Sequence, residues 1–467
     1  MVKKIAIFAV LIPAILLCSY IPAIAAAPFE DIVASSALLA EADSGMLLFE
    51  HNIRTLHPAD ALTRVMTVLL AVNAIENDSV SADELIEMTE TAWFDLDENT
   101  PTRNINPGEE MPLIDLLYCA YVGAASEACN MIAEHIDGSV DAFVRHMNDY
   151  AYELGCVSTR FTNTHGRFNE NQYTTAQDMF FIFREAVGKE LFAEIASVYR
   201  YSVEATEESP QRNFSSSNLL FNSNGKYFYR NCTAGMASST NEGGYSFVAY
   251  AESEGLSLIS VVLGSDSIVL EDESVDMRNL SETRRLFEWG FSEFSWRTIL
   301  STTDLAGKAP IVNGAGADFV NLRPETEIRL LLANDIPDKA FKPTVIIYSI
   351  VSGEALVAPI EAGTELGEIT ITRFDPVENK TIDYGTIKLV ANTSIELHKL
   401  EFVRMQMMSI FSSSAARTVI VVLIIIVVAY LALVIRYNVI RRKRMRRIAD
   451  AKRKLAQERQ SSSNADD

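Results

Sequence analysis

The chain has 467 residues, of which 48% are hydrophobic, 22% charged and 9% aromatic. That composition excludes a disordered or low-complexity protein and leaves room for two or three domains. Lys plus Arg number 40 against 62 Asp plus Glu, a formal net charge of −22, which excludes nucleic-acid binding through a general electrostatic field.

Residues 1–27 read as a secretory signal peptide. Lys3 and Lys4 precede an apolar run that closes on Ala23-Ile24-Ala25 and Ala25-Ala26-Ala27. Pro13, Pro22 and the small-residue end disfavour an uncleaved anchor, and Leu16-Leu17 ahead of Cys18 disfavours a lipid anchor. Residues 35–52 alternate apolar and polar around Asp43-Ser44-Gly45, the pattern of a β-hairpin. Residues 61–76 have helical periodicity with Asp60 as N-cap. Residues 113–136 form a long apolar helical stretch interrupted by small residues, 139–155 an amphipathic helix ending at Gly155, and 176–188 another. Residues 245–264 are two strands about Glu254-Gly255, and 278–290 a helix ending at Gly290. Helices set between strands from both ends of the region give an α+β pattern, assigned to residues 28–295.

From 296 to about 405 the texture changes to short β-branched runs between turns (EIRLLLA, PTVIIYSI, ELGEITITRF, GTIKLVA), a small all-β module. Residues 418–435 carry no charge and at 1.5 Å per residue span about 27 Å, a transmembrane helix. The tail, 436–467, holds 11 Lys/Arg and 4 Asp/Glu, while residues 5–435 carry −31. The positive-inside rule puts the tail in the cytoplasm and the acidic body outside. The run RRKRMRR reads as a stop-transfer signal with attraction for anionic lipid rather than a nucleic-acid patch. Past the signal, Cys119, Cys129, Cys156 and Cys232 form no C-x-x-C pair. Ten residues apart on one helix, Cys119 and Cys129 cannot bridge, so mostly buried free thiols are expected, with room for one disulfide at most.

The order of these elements resembles the serine D-alanyl-D-alanine carboxypeptidases, low-molecular-mass penicillin-binding proteins of peptidase family S11. The resemblance rests on SALLAEADSGMLLFEHN, PADALTRVMTVLLAVNAIE, the stretch from LIDLLYCAYVGAASEACN to the Asn-x-His-Gly turn FTNTHG, then YTTAQDM, TNEGGYSFVAYAE, ETRRLFEWGF and AGTELGEITI. It covers nearly all of the exported body. It implies a DD-peptidase/β-lactamase-like α+β domain with an antiparallel sheet flanked by helices, a C-terminal β domain and a membrane anchor. It also implies peptidoglycan stem peptide as substrate in a walled bacterium, and no cofactor.

The resemblance also implies three catalytic motifs, and the chain departs from each. Where the family has Ser-x-x-Lys, this chain reads Ala61-Leu62-Thr63-Arg64, with the register held by Val65-Met66-Thr67. Ala61 has no nucleophile and Arg64 stays protonated, so it cannot be the base. Where the family has Ser-x-Asn, the chain reads Ala124-Ala125-Ser126. Where it has Lys-Thr-Gly, Gly235-Met236-Ala237-Ser238-Ser239-Thr240 stands, with Met236, Ala237 and Ser238 at the motif positions in one register and a deletion in the other. Neither register supplies a Lys.

Weaker chemistries remain. Thr63 lies on another face from Ala61 and is expected to bond back to Ala59. Ser238 and Ser239 beside Cys232 read as a loop before they read as a nucleophile site. None of His51, His57, His135, His146, His165 and His398 has a zinc-ligand spacing, so no metal is expected. Glu207-Glu208 and Glu271-Asp272-Glu273 read as solvated surface. The resulting expectation is a membrane-anchored pseudoenzyme that binds stem peptide or wall-synthesis proteins. The alternative is an active carboxypeptidase with an unrecognised nucleophile.

Overall fold

The computed structural model describes residues 31–463 apart from 94–95, 99, 206–208, 271–274, 377–378 and 413. The signal peptide expected at 1–27 and the acidic groups at 207–208 and 271–273 lie outside the described residues. The structure divides into two compact units. One runs to Thr298 and takes back Arg329–Asp338; the other comprises Ile299–Ile328 and the chain from Lys339.

The first unit is built on a five-stranded sheet of β1 (Ser36–Glu41), β2 (Leu47–His51), β3 (Cys232–Thr240), β4 (Gly244–Ser253) and β5 (Leu256–Ser265), in the order β2-β1-β5-β4-β3. All its pairings are antiparallel. The two hairpins fall where the turn residues put them. Glu254 and Gly255 have φ of 51° and 78°, the two positive angles that a two-residue type I′ turn requires.

Strand alternation sends side chains into two cores. Leu38 and Ala40 of β1 join Met236, Val248, Val261 and Leu263 in the cluster shared with α1 (Thr63–Glu76), α2 (Leu113–Tyr121), α3 (Ser126–Asp137), α4 (Val140–Glu153), α5 (Ala176–Val187) and α6 (Glu190–Ser197). Ala37 and Leu39 face the other way, with Phe247, Leu258 and Val262, against Leu280, Leu286 and Phe287 of α7 (Arg278–Glu293). Both faces of β1 are therefore buried, which is why it reads as a continuous apolar run flanked by polar residues.

Three elements differ from the sequence reading. The stretch 113–136 is two helices. The chain breaks at 122–125, where Ala124 takes φ 53°, so Cys119 and Cys129 lie on separate helices. All four cysteines are free and buried. Helix α7 passes Gly290 and ends at Glu293. Gly290 is instead a point of close approach, where a Cβ would lie 2.7 Å from both Leu39 and Leu258 side chains. The run EIRLLLA also leaves the β module, since Leu331 and Ala333 are buried with Phe287 and Phe294 of the first unit.

In the second unit, a six-stranded sheet has the order β8-β10-β11-β7-β6-β9. Its strands are β6 (Gly307–Val312), β7 (Phe319–Pro324), β8 (Phe341–Ile347), β9 (Leu356–Val357), β10 (Glu365–Asp375) and β11 (Lys380–Ala391). Helix α8 (Lys399–Ser412) follows, then α9 (Ser414–Ser463). Within α9, Arg417–Lys454 is long and apolar enough to cross a membrane, its most apolar 18-residue stretch having a mean hydropathy of 3.4.

Candidate active site

The chain enters α1 through a 3-10 turn, Asp60–Leu62, in which Asp60 takes φ 42°. For a residue with a side chain that backbone is strained by roughly 1–3 kcal/mol and needs support from outside. The support is Gly166, at φ 83°, where a Cβ would fall 1.9 Å from the Asp60 carbonyl oxygen. The Asn-Thr-His-Gly turn and the entry to α1 thus fit only without a side chain at 166.

Asp60 does not cap the helix; α1 has no side-chain cap. Its buried carboxylate turns to β3, where Oδ2 accepts the Thr240 hydroxyl at 2.7 Å, and Thr240 Oγ1 in turn accepts the Gly243 N–H at 2.8 Å. Oδ1 is buried with no partner among the described residues. Burial raises the pKa of this carboxyl; the Thr240 bond opposes that, and the charge of Glu242 adds to it.

Next to it, Ala61 offers a methyl group and a backbone N–H, and Ser238 Oγ accepts that N–H at 3.2 Å. Three residues on, Arg64 is 7% exposed. Its Nε donates to the His165 carbonyl at 2.9 Å, and no carboxylate among the described residues pairs with it. Burial lowers the guanidinium pKa; the Cys129 thiol opposes that and Arg103 adds to it.

Thr63 corrects the sequence reading. Its hydroxyl is fully buried and accepts from Gln172 Nε2 at 3.1 Å rather than bonding back to Ala59. Gln172 Oε1 also accepts the Thr162 and Asn163 N–H groups, so Thr63 is spent on fixing the turn. Thr67 donates to the Thr164 carbonyl at 2.6 Å and Thr164 to Asn130 Oδ1 at 2.6 Å, while Asn130 Nδ2 donates to Ala92 O at 2.9 Å. This network ties α1, α3 and the 163–166 turn together.

Ala124 occupies the positive-φ position just ahead of α3. The Ser126 N–H donates to Pro101 O at 3.0 Å, but its hydroxyl is buried without a partner among the described residues. Glu127, fully buried, accepts the Arg103 and Ile105 N–H groups at Oε1. Burial raises its pKa against the pull of those bonds. No hydrogen bond joins Ala124 or Ser126 to Ala61 or Arg64.

On β3, Met236 is 1% exposed and belongs to the core, whereas Ala237 faces the other side of the sheet. Of the four residues 236–239, only Ser239 lines an open cleft of about 840 Å³. Asp97, Glu242 and Asp266 give that cleft an acidic rim, and Arg167 pairs with Asp97. None of these rim residues stands out in the sequence, because the fold gathers them from separate loops.

No reacting pair forms from these groups. Ser238 and Ser239 have no basic side chain bonded to them among the described residues. Burial pushes the Cys232 thiol up to about 12, so it is no thiolate near neutral pH. No cluster of His, Cys, Asp and Glu fit to hold a metal ion occurs among the described residues.

Comparison with known proteins agrees with this architecture. The family model described as D-alanyl-D-alanine carboxypeptidase, Peptidase S11, matches residues 22–267. The D-alanyl-D-alanine carboxypeptidase DacF of Bacillus subtilis is 24% identical over 341 residues, 73% of this chain and 82% of its own length. DacA of Escherichia coli K12 is 25% identical over 357 residues, 76% of this chain and 82% of its own. The fold is that of penicillin-binding protein 5 from Haemophilus influenzae, with a TM-score of 0.56 at 21% identity over 78% of this chain and 98% of that one. It is also that of the peptidoglycan synthesis regulatory factor PBP3 from Streptococcus pneumoniae, with a TM-score of 0.57 at 22% identity over 78% and 100%. With its fold and more than half of its length accounted for in this way, the chain belongs to the D-alanyl-D-alanine carboxypeptidase family, peptidase S11.

Proposed function

We propose that this protein is a non-catalytic member of its family, anchored in the membrane by α9, that binds peptidoglycan stem peptide or a wall-synthesis protein on its extracytoplasmic side. Ala61, Arg64, Ala124 and Ser126 stand at the positions of the nucleophile, base and second motif, and Met236, Ala237 and Ser238 at those of Lys-Thr-Gly. One observation carries the reading. At position 61 there is only a methyl group, and the backbone N–H beside it is held by the Ser238 hydroxyl at 3.2 Å. Acyl transfer needs an attacking atom and donors free to stabilise the oxyanion; this arrangement supplies neither. A guanidinium at 64 supports the same conclusion, since it holds its proton throughout the working range of a base.

The bonds that build the surrounding scaffold, from Thr67 to Thr164 to Asn130, are intact. A folded cleft without a reacting group fits binding. The test is a fluorescent penicillin, with release of D-Ala from a D-Ala-D-Ala peptide assayed in parallel. Neither an adduct nor release is expected. A stable adduct located by mass spectrometry would identify an active enzyme with another nucleophile and overturn the proposal.

A further inference from the structure

The cleft of about 840 Å³ that Ser239 lines falls within the roughly 300–1,000 Å³ typical of small-molecule sites. Two aromatic rings, Phe168 and Tyr245, open onto it. Phe168 is 42% exposed, and neither ring stacks on another ring or on a cation among the described residues. A ring left uncovered in a recess forgoes the burial that ordinarily holds an aromatic side chain in place. The polar groups around the rings are also unbonded. The side chains of Ser239, Asn241, Glu242, Asp266 and Ser267 make no hydrogen bond or ion pair within the protein among the described residues.

The walls of the cleft are nevertheless fixed by the chain itself. Asp60 accepts the Thr240 hydroxyl at 2.7 Å, and Thr240 Oγ1 accepts the Gly243 N–H at 2.8 Å, which closes the turn between β3 and β4. Val33 hangs from α7, where Glu282 Oε1 accepts its N–H at 2.7 Å. Ser267 and Ile268 lie on a short strand, Ser267–Val269, paired antiparallel with Val275–Met277. Arg167, next to Phe168, is tied to Asp97. Open rings and open polar groups on fixed walls are pre-organised for recognition, since little freedom is lost when a ligand arrives.

We propose that this cleft binds a glycan, a chain of N-acetylated hexosamine units, stacked on Phe168 and Tyr245. The lining selects that class. Carboxylates accept hydrogen bonds and donate none, so Glu242 and Asp266 call for a ligand rich in donors. The hydroxyls and acetamido N–H groups of such a sugar supply them. Ser239, Asn241 and Ser267 both donate and accept, and so suit the ring and carbonyl oxygens. The C–H face of a pyranose is flat and apolar, the counterpart of an open aromatic face. Val33 and Ile268 add an apolar surface for the acetyl methyl groups. An anionic ligand is opposed by the two unpaired carboxylates and by the −31 of the exported body. A lone ammonium would satisfy a carboxylate but leave the neutral polar groups without partners.

This inference goes beyond the proposed binding of wall peptide, and the test separates the two. The full-length protein, in a detergent without a sugar headgroup, is titrated with chitotetraose, the N-acetylglucosamine tetramer, carrying a fluorophore at its reducing end and read by anisotropy. An N-acyl-D-Ala-D-Ala peptide is titrated in parallel. Saturable binding of chitotetraose is expected. Phe168→Ala should weaken it about tenfold, in the range of one aromatic contact, whereas Phe168→Tyr should retain it and neither change should alter the affinity for the peptide. Glu242→Gln with Asp266→Asn should cost a few-fold. The de-N-acetylated tetramer, a cation, should bind more weakly than chitotetraose. Absence of saturable chitotetraose binding by the unaltered protein overturns the glycan site and leaves peptide binding standing, and it needs no variant to fold. Binding of chitotetraose without binding of the peptide supports the glycan site and counts against the peptide reading alone. Displacement of chitotetraose by the peptide would make the cleft a peptide site, and tighter binding of the de-N-acetylated tetramer would make it an ammonium site; either overturns the inference. Chitotetraose binding unchanged by Phe168→Ala puts the sugar elsewhere and overturns it too.

Discussion

Ser238 Oγ accepts the backbone N–H of Ala61 at 3.2 Å, joining the turn ahead of α1 to the last residues of β3. The bond uses the donor that a reacting carbonyl at this point would need, and it places a side chain where the sheet edge meets the helix. On the proposed reading, the methyl group at 61 and the covered N–H are separate features, so each has to be changed separately to test it.

Ala61→Ser alone is therefore expected to leave penicillin labelling at background, because Arg64 cannot take the hydroxyl proton. Ala61→Ser with Arg64→Lys supplies an amine whose pKa burial lowers toward a useful value. The Ser238 hydroxyl still covers the Ala61 N–H, and one lost oxyanion donor costs roughly 10²–10³ in rate. The double variant should acylate slowly and turn over negligibly, and adding Ser238→Gly should speed acylation. Brisk carboxypeptidase turnover from Ala61→Ser alone, measured as D-Ala release, would mean that Arg64 does not stand at the base position.

Asp60 leads to a pH dependence with a definite sign. Burial raises its pKa in the folded protein above the ordinary 3.8, so the ionised form costs stability. Stability from this group rises as pH falls from above the folded value toward the unfolded one, and it is lowest at alkaline pH. Asp60→Asn removes that titration. The variant should gain stability relative to the parent as pH rises from the ordinary carboxyl value of 3.8 to alkaline pH, followed by urea denaturation across that range. A difference between the two proteins that is flat across this range would show the carboxylate is already compensated.

The fold was legible where periodicity and turn chemistry agree. The hairpin at Asp43-Ser44-Gly45 and the one at Glu254-Gly255 appear where the sequence puts them. Misreadings arose where a residue serves a distant partner. Asp60 looks like an N-cap locally, but its partner Thr240 is 180 residues away. Thr63 looks back-bonded until Gln172, 109 residues on, is seen to claim it. Gly290 looks like a helix stop, yet it marks the contact of α7 with Leu39 and Leu258. In the site, the family resemblance singles out Ala61 and Arg64, whereas the Ser238–Ala61 bond and the unpartnered Ser126 hydroxyl leave no signal in the sequence.

Arg212 is the structural anchor of the 101–109 loop. It pairs with both oxygens of Glu109 at 2.6 and 2.8 Å and donates to the carbonyls of Arg103 and Asn104. Burial raises the Glu109 pKa, but the Arg212 and Asn106 bonds outweigh it and hold it below the ordinary value. Stability from this carboxylate is therefore present above its unfolded pKa and lost as pH falls through the folded one. Arg212→Met leaves Glu109 buried and unpaired and should cost about 3–5 kcal/mol near pH 7. The cost should shrink at pH 4, because in the variant the buried, unpaired Glu109 carboxyl protonates more readily than in the parent, where Arg212 holds it ionised. A loss by chemical denaturation that is equal at both pH values would assign Arg212 a packing role instead.

The last prediction concerns orientation. The 18 residues 418–435 carry no charge, and the segment after them holds 11 Lys/Arg against 4 Asp/Glu. Seven of those basic residues lie between Arg436 and Arg447, within the distance over which positive charge fixes topology. Moving them across the bilayer would oppose both the membrane potential and the attraction of anionic headgroups, at about 1 kcal/mol per basic residue near the surface. The acidic body meets neither penalty on the outside. Protease added to intact protoplasts should therefore digest the region ahead of 418 and spare an epitope placed after Arg436, and permeabilised cells should lose both. Replacing Arg441, Arg442, Lys443, Arg444, Arg446 and Arg447 by Ser should make part of the epitope accessible from outside. Protection of the body in intact protoplasts would reverse the orientation and remove the wall-facing role with it.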